Sequence, residues 1–419
     1  MTTSTPLRRR FLGGLSALAL AGAVALGGCA ADSTTSTTSS TSSTSSTVAG
    51  LADASAGTTD ATTTAETISD TAAAAEAFLA TLSEEQREAV LYDYDDETKT
   101  TSWSNFPVTF VERAGVNLAD LTEEQQDAAM AVLEALLSEE GYETVTGIMG
   151  GDAYLAENSS STEDSLGQYY IALFGDPSDT DAWEVQFGGH HLGINASLDG
   201  ASDAITFAPT HLGVQPAVWT DDDGEEVQPF DGIYTDAFAF FDSLTEEQQA
   251  TLTSGEVSMC APGDTCDFAT GSGLQGSDLT DEQRDLLLEL IANWAGMADE
   301  ETTATTLAEI EATLGDTWIS WSGETTYDMT SGDGINFSIS GPDVYVALQA
   351  QQGSAGADVD GVTTSGWGHV HSIYRDPSND YAGSVEQQAG SGVGGGAGTP
   401  PGGGAGGTPP GGTPPSTED

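Results

Sequence analysis

One six-residue pattern recurs four times along the chain: Leu-Ser-Glu-Glu-Gln-Arg at 82–87, Leu-Thr-Glu-Glu-Gln-Gln at 121–126 and 244–249, and Leu-Thr-Asp-Glu-Gln-Arg at 279–284. Each has the form of a capping box, in which a Ser or Thr hydroxyl takes the amide three residues on while the glutamine reaches back to the cap. The acidic pair also suits the positive end of a helix dipole. Four helix starts are therefore expected at these positions. The second and fourth copies share more: Gly115 to Thr122 resembles Gly273 to Thr280, and each leads into an apolar-periodic helix, 128–137 and 286–294. Strand-like segments follow in both halves. Residues 170–175 correspond to 318–323, and 185–194 correspond to 337–346 without a gap. The offsets of 162, 158, 148 and 152 residues are close, as one ancestral unit copied in tandem would leave them. The predicted fold is α+β, a tandem-duplicated helix-helix-antiparallel-strand unit forming one compact body over 74–388, with halves at about 74–235 and 236–388.

Both ends lie outside that unit. Residues 1–28 read as a signal peptide: Arg8, Arg9 and Arg10 run into Phe11-Leu12 in a twin-arginine export pattern, followed by an apolar run too short to span a bilayer. Leu-Gly-Gly-Cys at 26–29 resembles a bacterial lipobox, which would place a lipid on Cys29. An ordinary secretory signal with an incidental cysteine is the alternative. The expectation is an extracytoplasmic protein attached to the cell membrane through a lipid anchor. Residues 29–73 are rich in Ser and Thr, and 389–419 in Gly and Pro. Neither stretch offers enough large apolar surface to offset its ordering entropy, so both are expected to be disordered. Cys260 and Cys266 are predicted to close a small disulfide loop, with a zinc pair as the alternative.

The chain carries 67 acidic and 8 basic residues, a formal charge of −59. Such a surface repels phosphate backbones, so nucleic-acid binding is excluded. The single lysine, Lys99, follows no glycine loop, which removes a P-loop. Two further patterns are decoys. The GxGxxG match at 271–276 follows the cysteine loop rather than a strand, and the acidic run 221–226 lacks the alternating spacing of an EF-hand loop.

Four of the five histidines fall in two pairs. If 185–198 is one strand, His190 shares a face with Leu192 and Ile194, while His191 shares the other with Gly193 and Asn195. From Gly368, alternation places His369, His371 and Arg375 together. A His-x-His step on a strand holds two imidazoles about 7 Å apart on one side. If the two segments are neighbours, His191, His369 and His371 converge on a divalent metal ion, with His190, Asp376 or Asp380 as further ligands. Asp376 and Arg375 are then the catalytic candidates, and Arg375, one of few cations, is expected to meet a carboxylate or phosphate. The second half carries Pro342-Asp343 where the first has His190-His191.

The segments 169–177, 188–195 and 370–381 together resemble a secreted bacterial family, the domain of unknown function 3500, over about residues 75–385. That resemblance implies an extracytoplasmic location and directs attention to His190, His191, His371, Arg375 and Asp376. It implies no reaction. Three functions are consistent with the residues: a metal-dependent hydrolase, a surface protein binding a metal or small anion, and a scaffold in which the histidines only pin strands. A scaffold should hydrogen-bond every ring nitrogen within the core, whereas a metal site should leave nitrogens free.

Overall fold

In the computed structural model, residues 62–160, 166–221, 223–252, 257–262, 272–352, 359 and 361–386 are described. The expected signal peptide, Cys29, Cys266 and the Gly/Pro tail lie outside them. Cys260 is disulfide-bonded. Among the described residues no helix is long and apolar enough to cross a membrane.

The first half runs α1 (Thr64–Thr81), α2 (Glu84–Val90), β1 (Leu91–Tyr92), β2 (Val116–Asn117), α3 (Glu123–Leu136), α4 (Glu139–Asn158), β3 (Tyr170–Phe174), β4 (Ala182–Gly188), β5 (Leu192–Asp199), β6 (Ala204–Thr206) and β7 (Thr210–Val214). A small hairpin of β8 (Trp219–Thr220) and β9 (Glu226–Val227) has Asp221 and Glu225 at its turn. The second half follows as α5 (Asp231–Ser243), α6 (Glu246–Gln249), β10 (Leu274–Gln275), α7 (Asp281–Ala295), α8 (Glu300–Thr313), β11 (Trp318–Gly323), β12 (Ile335–Ser340), β13 (Tyr345–Gln351) and β14 (Gly366–Arg375). The architecture is α+β.

The four hexapeptides start α2, α3, α6 and α7, each with both halves of its capping box formed. Their glutamines also tie helices together. Gln125 donates to Thr81 O at 2.9 Å and to Gln86 at 3.0 Å; Gln283 donates to Ser243 O at 2.8 Å and to Gln248 at 3.0 Å. The folded body begins earlier than residue 74, because α1 starts at Thr64 behind a Thr63–Glu66 capping box. Its buried face is made largely of small residues and threonines, among them Thr64, Thr71 and Ala72, with Thr71 donating to Thr67 O at 2.6 Å. Such a face looks like stalk when judged by large apolar residues alone.

Twelve strands form one sheet, in the order β1-β3-β4-β5-β7-β14-β13-β12-β11-β10, with β2 on β3 and β6 on β5. The β1–β3 pairing is parallel and the others are antiparallel. Read outward from the central β7–β14 pair, the two halves repeat one another. Ile171 opposes Phe187, which opposes Ile194; Ile319 opposes Ile339, which opposes Val346. Gly115 (φ +86°) and Gly273 (φ +119°) pass equally close to the chain, where a Cβ would lie 1.9 Å from Ile171 O and 2.0 Å from Ile319 O. This correspondence supports the proposal that the halves descend from one copied unit.

The helices cover one face of the sheet through a continuous core that joins Phe78, Leu133, Ile148, Leu287 and Trp294 to Val185, Ile194, Leu212, Val346 and Val370. The other face is different. There Trp103, Met259 and Cys260, from irregular segments, pack on Tyr345, Ala347 and Ile373, while Ala114 and Tyr92 pack on Ala172 and Phe174. Between these small clusters the strands carry buried polar side chains. Lys99 pairs with Glu184 at 3.0 Å, and Gln186 bonds to Asn195 at 2.6 Å. His211, His369 and His371 belong to this second face, since Leu212, Val214 and Val370 take the helical one.

Candidate metal centre

The stretch expected to run as one strand through 185–198 is instead a hairpin. β4 ends at Gly188, and Gly189, His190 and His191 make the turn into β5, closed by Gly189 N donating to Leu192 O at 2.8 Å. The glycines permit it: a Cβ would lie 2.2 Å from Leu192 O at Gly188 and 2.5 Å from Gln168 O at Gly189. Strand alternation therefore does not apply to the paired histidines. Rather than pointing to opposite faces they stack on each other, with ring centroids 4.1 Å apart.

The turn sits beside the central strand pair. Gly213 N donates to His191 O at 2.6 Å, and Gly213 stands opposite His371 in the β7–β14 register. At Gly213 a Cβ would lie 3.0 Å from Val370 O and in ordinary contact, 3.4 Å, with His191 Cδ2. His211, two residues back on β7, brings in the fifth imidazole. Ring centroids are 5.2 Å apart for His191–His371, 5.5 Å for His191–His369, 5.4 Å for His211–His371 and 6.1 Å for His190–His371. One ring nitrogen from each of His190, His191 and His371 lies within 4.8 Å of the other two. These three residues could hold a metal ion.

Several contacts orient the rings. His191 Nδ1 lies 2.5 Å from Asp152 Oδ1, and Tyr169 donates its hydroxyl to Asp152 Oδ2 at 2.7 Å. A carboxylate accepting from Nδ1–H leaves Nε2 with a free lone pair, the second-shell arrangement of many metal-ligating histidines. His211 Nδ1 lies 2.8 Å from Ser372 O and so presents Nε2 in the same way. His369 Nε2 and His371 Nε2 are 2.9 Å apart and share one hydrogen bond. After these contacts, His190 Nδ1, His191 Nε2, His211 Nε2, His369 Nδ1 and His371 Nδ1 are buried with no hydrogen-bond partner among the described residues. Burial, reinforced by neighbouring rings, holds His190, His369 and His371 well below the ordinary histidine range and pushes His211 down to about 3. Those four imidazoles are neutral at pH 7, the form that ligates metals.

Arg113 frames the turn. Its guanidinium donates to Gly189 O at 2.7 Å and to the carbonyls of Ser104, Phe106 and Val111. Burial lowers its pKa to about 10. Of the residues expected to form the site, the structure brings together His190, His191, His369 and His371. Arg375, Asp376 and Asp380 lie elsewhere. Arg375 is four residues beyond His371 on β14, about 13 Å along an extended strand. It pairs with Asp380 at 2.7 Å and donates to Cys260 O at 2.5 Å, so its partner is internal. The Asp376 carboxylate accepts from Ser378, and burial raises it to about 6.

Two members of the site carried little sequence signal. His211 is the one unpaired histidine, although its place after Pro209 in a short alternating strand was a usable cue. Asp152 is one acid among 67 on a helix, and nothing local sets it apart. The cluster draws His369 and His371 from the second half, which has no counterpart of His190, His191 or His211. Pro342-Asp343 replace His190-His191, and Arg375, which opposes Tyr345 as His211 opposes Gly193, stands in the position of His211.

Searches of curated proteins and of solved structures returned no match. The profile of one protein family does match, over residues 64–383, which takes in both halves of the sheet and every histidine of the cluster. The chain belongs to that family, the protein family of unknown function DUF3500.

Proposed function

We propose that this is an extracytoplasmic metal-binding protein, tethered through a lipid on Cys29, that holds one divalent transition-metal ion on His190, His191 and His371. The observation that carries the reading is the set of five converging imidazoles, each keeping one buried ring nitrogen without a hydrogen-bond partner among the described residues. One ion on His190, His191 and His371 would satisfy three of these groups, each of which otherwise costs about 1–3 kcal/mol. A donor set of neutral imidazoles, with no thiolate, suits zinc, copper, nickel or iron(II) rather than magnesium or calcium. The contact from Asp152 supports His191 as the anchoring ligand.

A hydrolytic use of the centre is the second reading. Three imidazole ligands leave a coordination position for water, as in catalytic zinc sites. It is favoured by His369, whose ring stands edge-on to His191 and whose Nδ1 has no partner. In that reading the proton acceptor is His369 rather than Asp376, which is committed to Ser378.

Elemental analysis of purified wild type beside His191→Ala and His371→Ala tests the metal reading. About one metal ion per wild-type chain, and a large loss in both folded variants, is expected. Wild type without stoichiometric metal after incubation with zinc or copper would overturn it.

A further inference from the structure

We propose that the metal centre takes a small monoanion, the size of hydroxide, azide or formate, as its exogenous ligand at the position the three imidazoles leave open. The inference rests on the metal reading above and adds the class of molecule that the ion binds.

Charge is the first argument. A nitrogen that ligates a metal is neutral, so three imidazoles leave both positive charges of the ion uncompensated. Asp152 supplies one negative charge, shared with Tyr169. Arg113 cancels that contribution. It is only 7% exposed and donates to Gly189, the residue preceding His190. All its hydrogen bonds go to backbone carbonyls, so it has no carboxylate partner among the described residues. A buried cation without a counter-charge is rare in any protein. In a chain of formal charge −59 it marks a local inversion of sign. With the ion in place the pocket is net positive, and an anion on the open position relieves the cost of burying that charge.

Space sets the size. His191 and His211 are fully buried, His369 is 3% and His371 4% exposed, and His190 is the most accessible of the five. The turn that carries His190 and His191 is packed closely against neighbouring backbone. A Cβ would fall 2.2 Å from Leu192 O at Gly188, 2.5 Å from Gln168 O at Gly189 and 3.0 Å from Val370 O at Gly213. The accessible edge of the site is therefore at His190, and the burial of the other four rings favours a ligand of only a few atoms. Large polyanions are turned away by the charge of the whole chain.

The test uses the full-length protein loaded with cobalt(II), its stoichiometry fixed by elemental analysis, and reads the visible absorption during titration with sodium azide and then sodium benzoate. A saturable change in the cobalt bands with azide, and none with benzoate, is expected. Arg113→Gln, if it still loads cobalt, should weaken azide binding about tenfold, since one buried charge is removed from nearby. Loaded wild type whose bands ignore excess azide would mean that the histidines saturate the ion, and would overturn this inference while leaving metal binding intact. Benzoate binding as tightly as azide would overturn the size argument. Failure to load cobalt, zinc or copper at all would remove both readings together.

Discussion

Replacing Asp152 by asparagine would preserve the shape beside His191 and remove the charge that supports its ring. Metal affinity should fall about 10- to 100-fold, as for other outer-sphere carboxylates. Competition with a chromophoric chelator measures it, and an unchanged affinity would deny Asp152 its orienting role. The buried histidines make a second prediction, for the metal-free protein. Folding lowers the pKa of His211 to about 3 and depresses His190, His369 and His371, burial being the main cause in each. Unfolding returns each ring to about 6.5. The unfolded chain then binds more protons, so the stability of neutral burial is complete above about pH 6.5. It is lost as pH falls below that, by up to about 1.4 kcal/mol per pH unit for each ring. Asp376, raised to about 6, works in the opposite direction, as do Glu184 and Asp380, whose carboxyls burial also raises, three groups against four. The melting temperature of metal-free protein should therefore drop between about pH 7 and pH 5, and a rise over that range would contradict the account. At this scale the sequence was legible where chemistry is local. His369 and His371 share a strand face as alternation requires. Asp152 and His211 reach the site through tertiary folding, for which a single sequence carries no local mark.

Elements explain how distant residues become neighbours. The capping hexapeptides were readable because a capping box is a four-residue device whose hydrogen bonds depend little on the rest of the fold. The Gly188-Gly189-His190-His191 turn was not. Its two signals are easily passed over when 185–198 is read as one strand: the Gly-Gly pair, and an apolar phase that changes from Val185 and Phe187 to Leu192 and Ile194. α1 was hidden for another reason: a helix buried through threonine and alanine has the composition of a linker. The paired glycines before β2 and β10 offer a test of the twofold correspondence. Gly115→Ala and Gly273→Ala each place a methyl against a carbonyl at a positive φ. Each should destabilise by more than about 2 kcal/mol in urea unfolding. Comparable losses fit two equivalent joints, whereas a neutral Gly273→Ala would show that the second half is built differently.

For the whole molecule, two features dominate: an acidic exterior and a single histidine centre at the seam between two similar halves. Repulsion within a chain of formal charge −59 should weaken as salt shortens the Debye length from about 30 Å at 0.01 M to 3 Å at 1 M. The melting temperature is expected to climb over that range, and a flat profile would remove electrostatic self-repulsion as a factor. The halves correspond in strand order and register, yet Arg375, already paired with Asp380, stands where the first half contributes His211 to the site. Similar scaffolds thus differ at the position where chemistry is possible. Anomalous diffraction from a crystal grown with zinc, collected above the zinc absorption edge, tests this picture most directly. The account predicts one strong peak bonded to His190, His191 and His371 at about 2.0–2.1 Å. Five rings hydrogen-bonded to ordered water, with no peak among them, would contradict it.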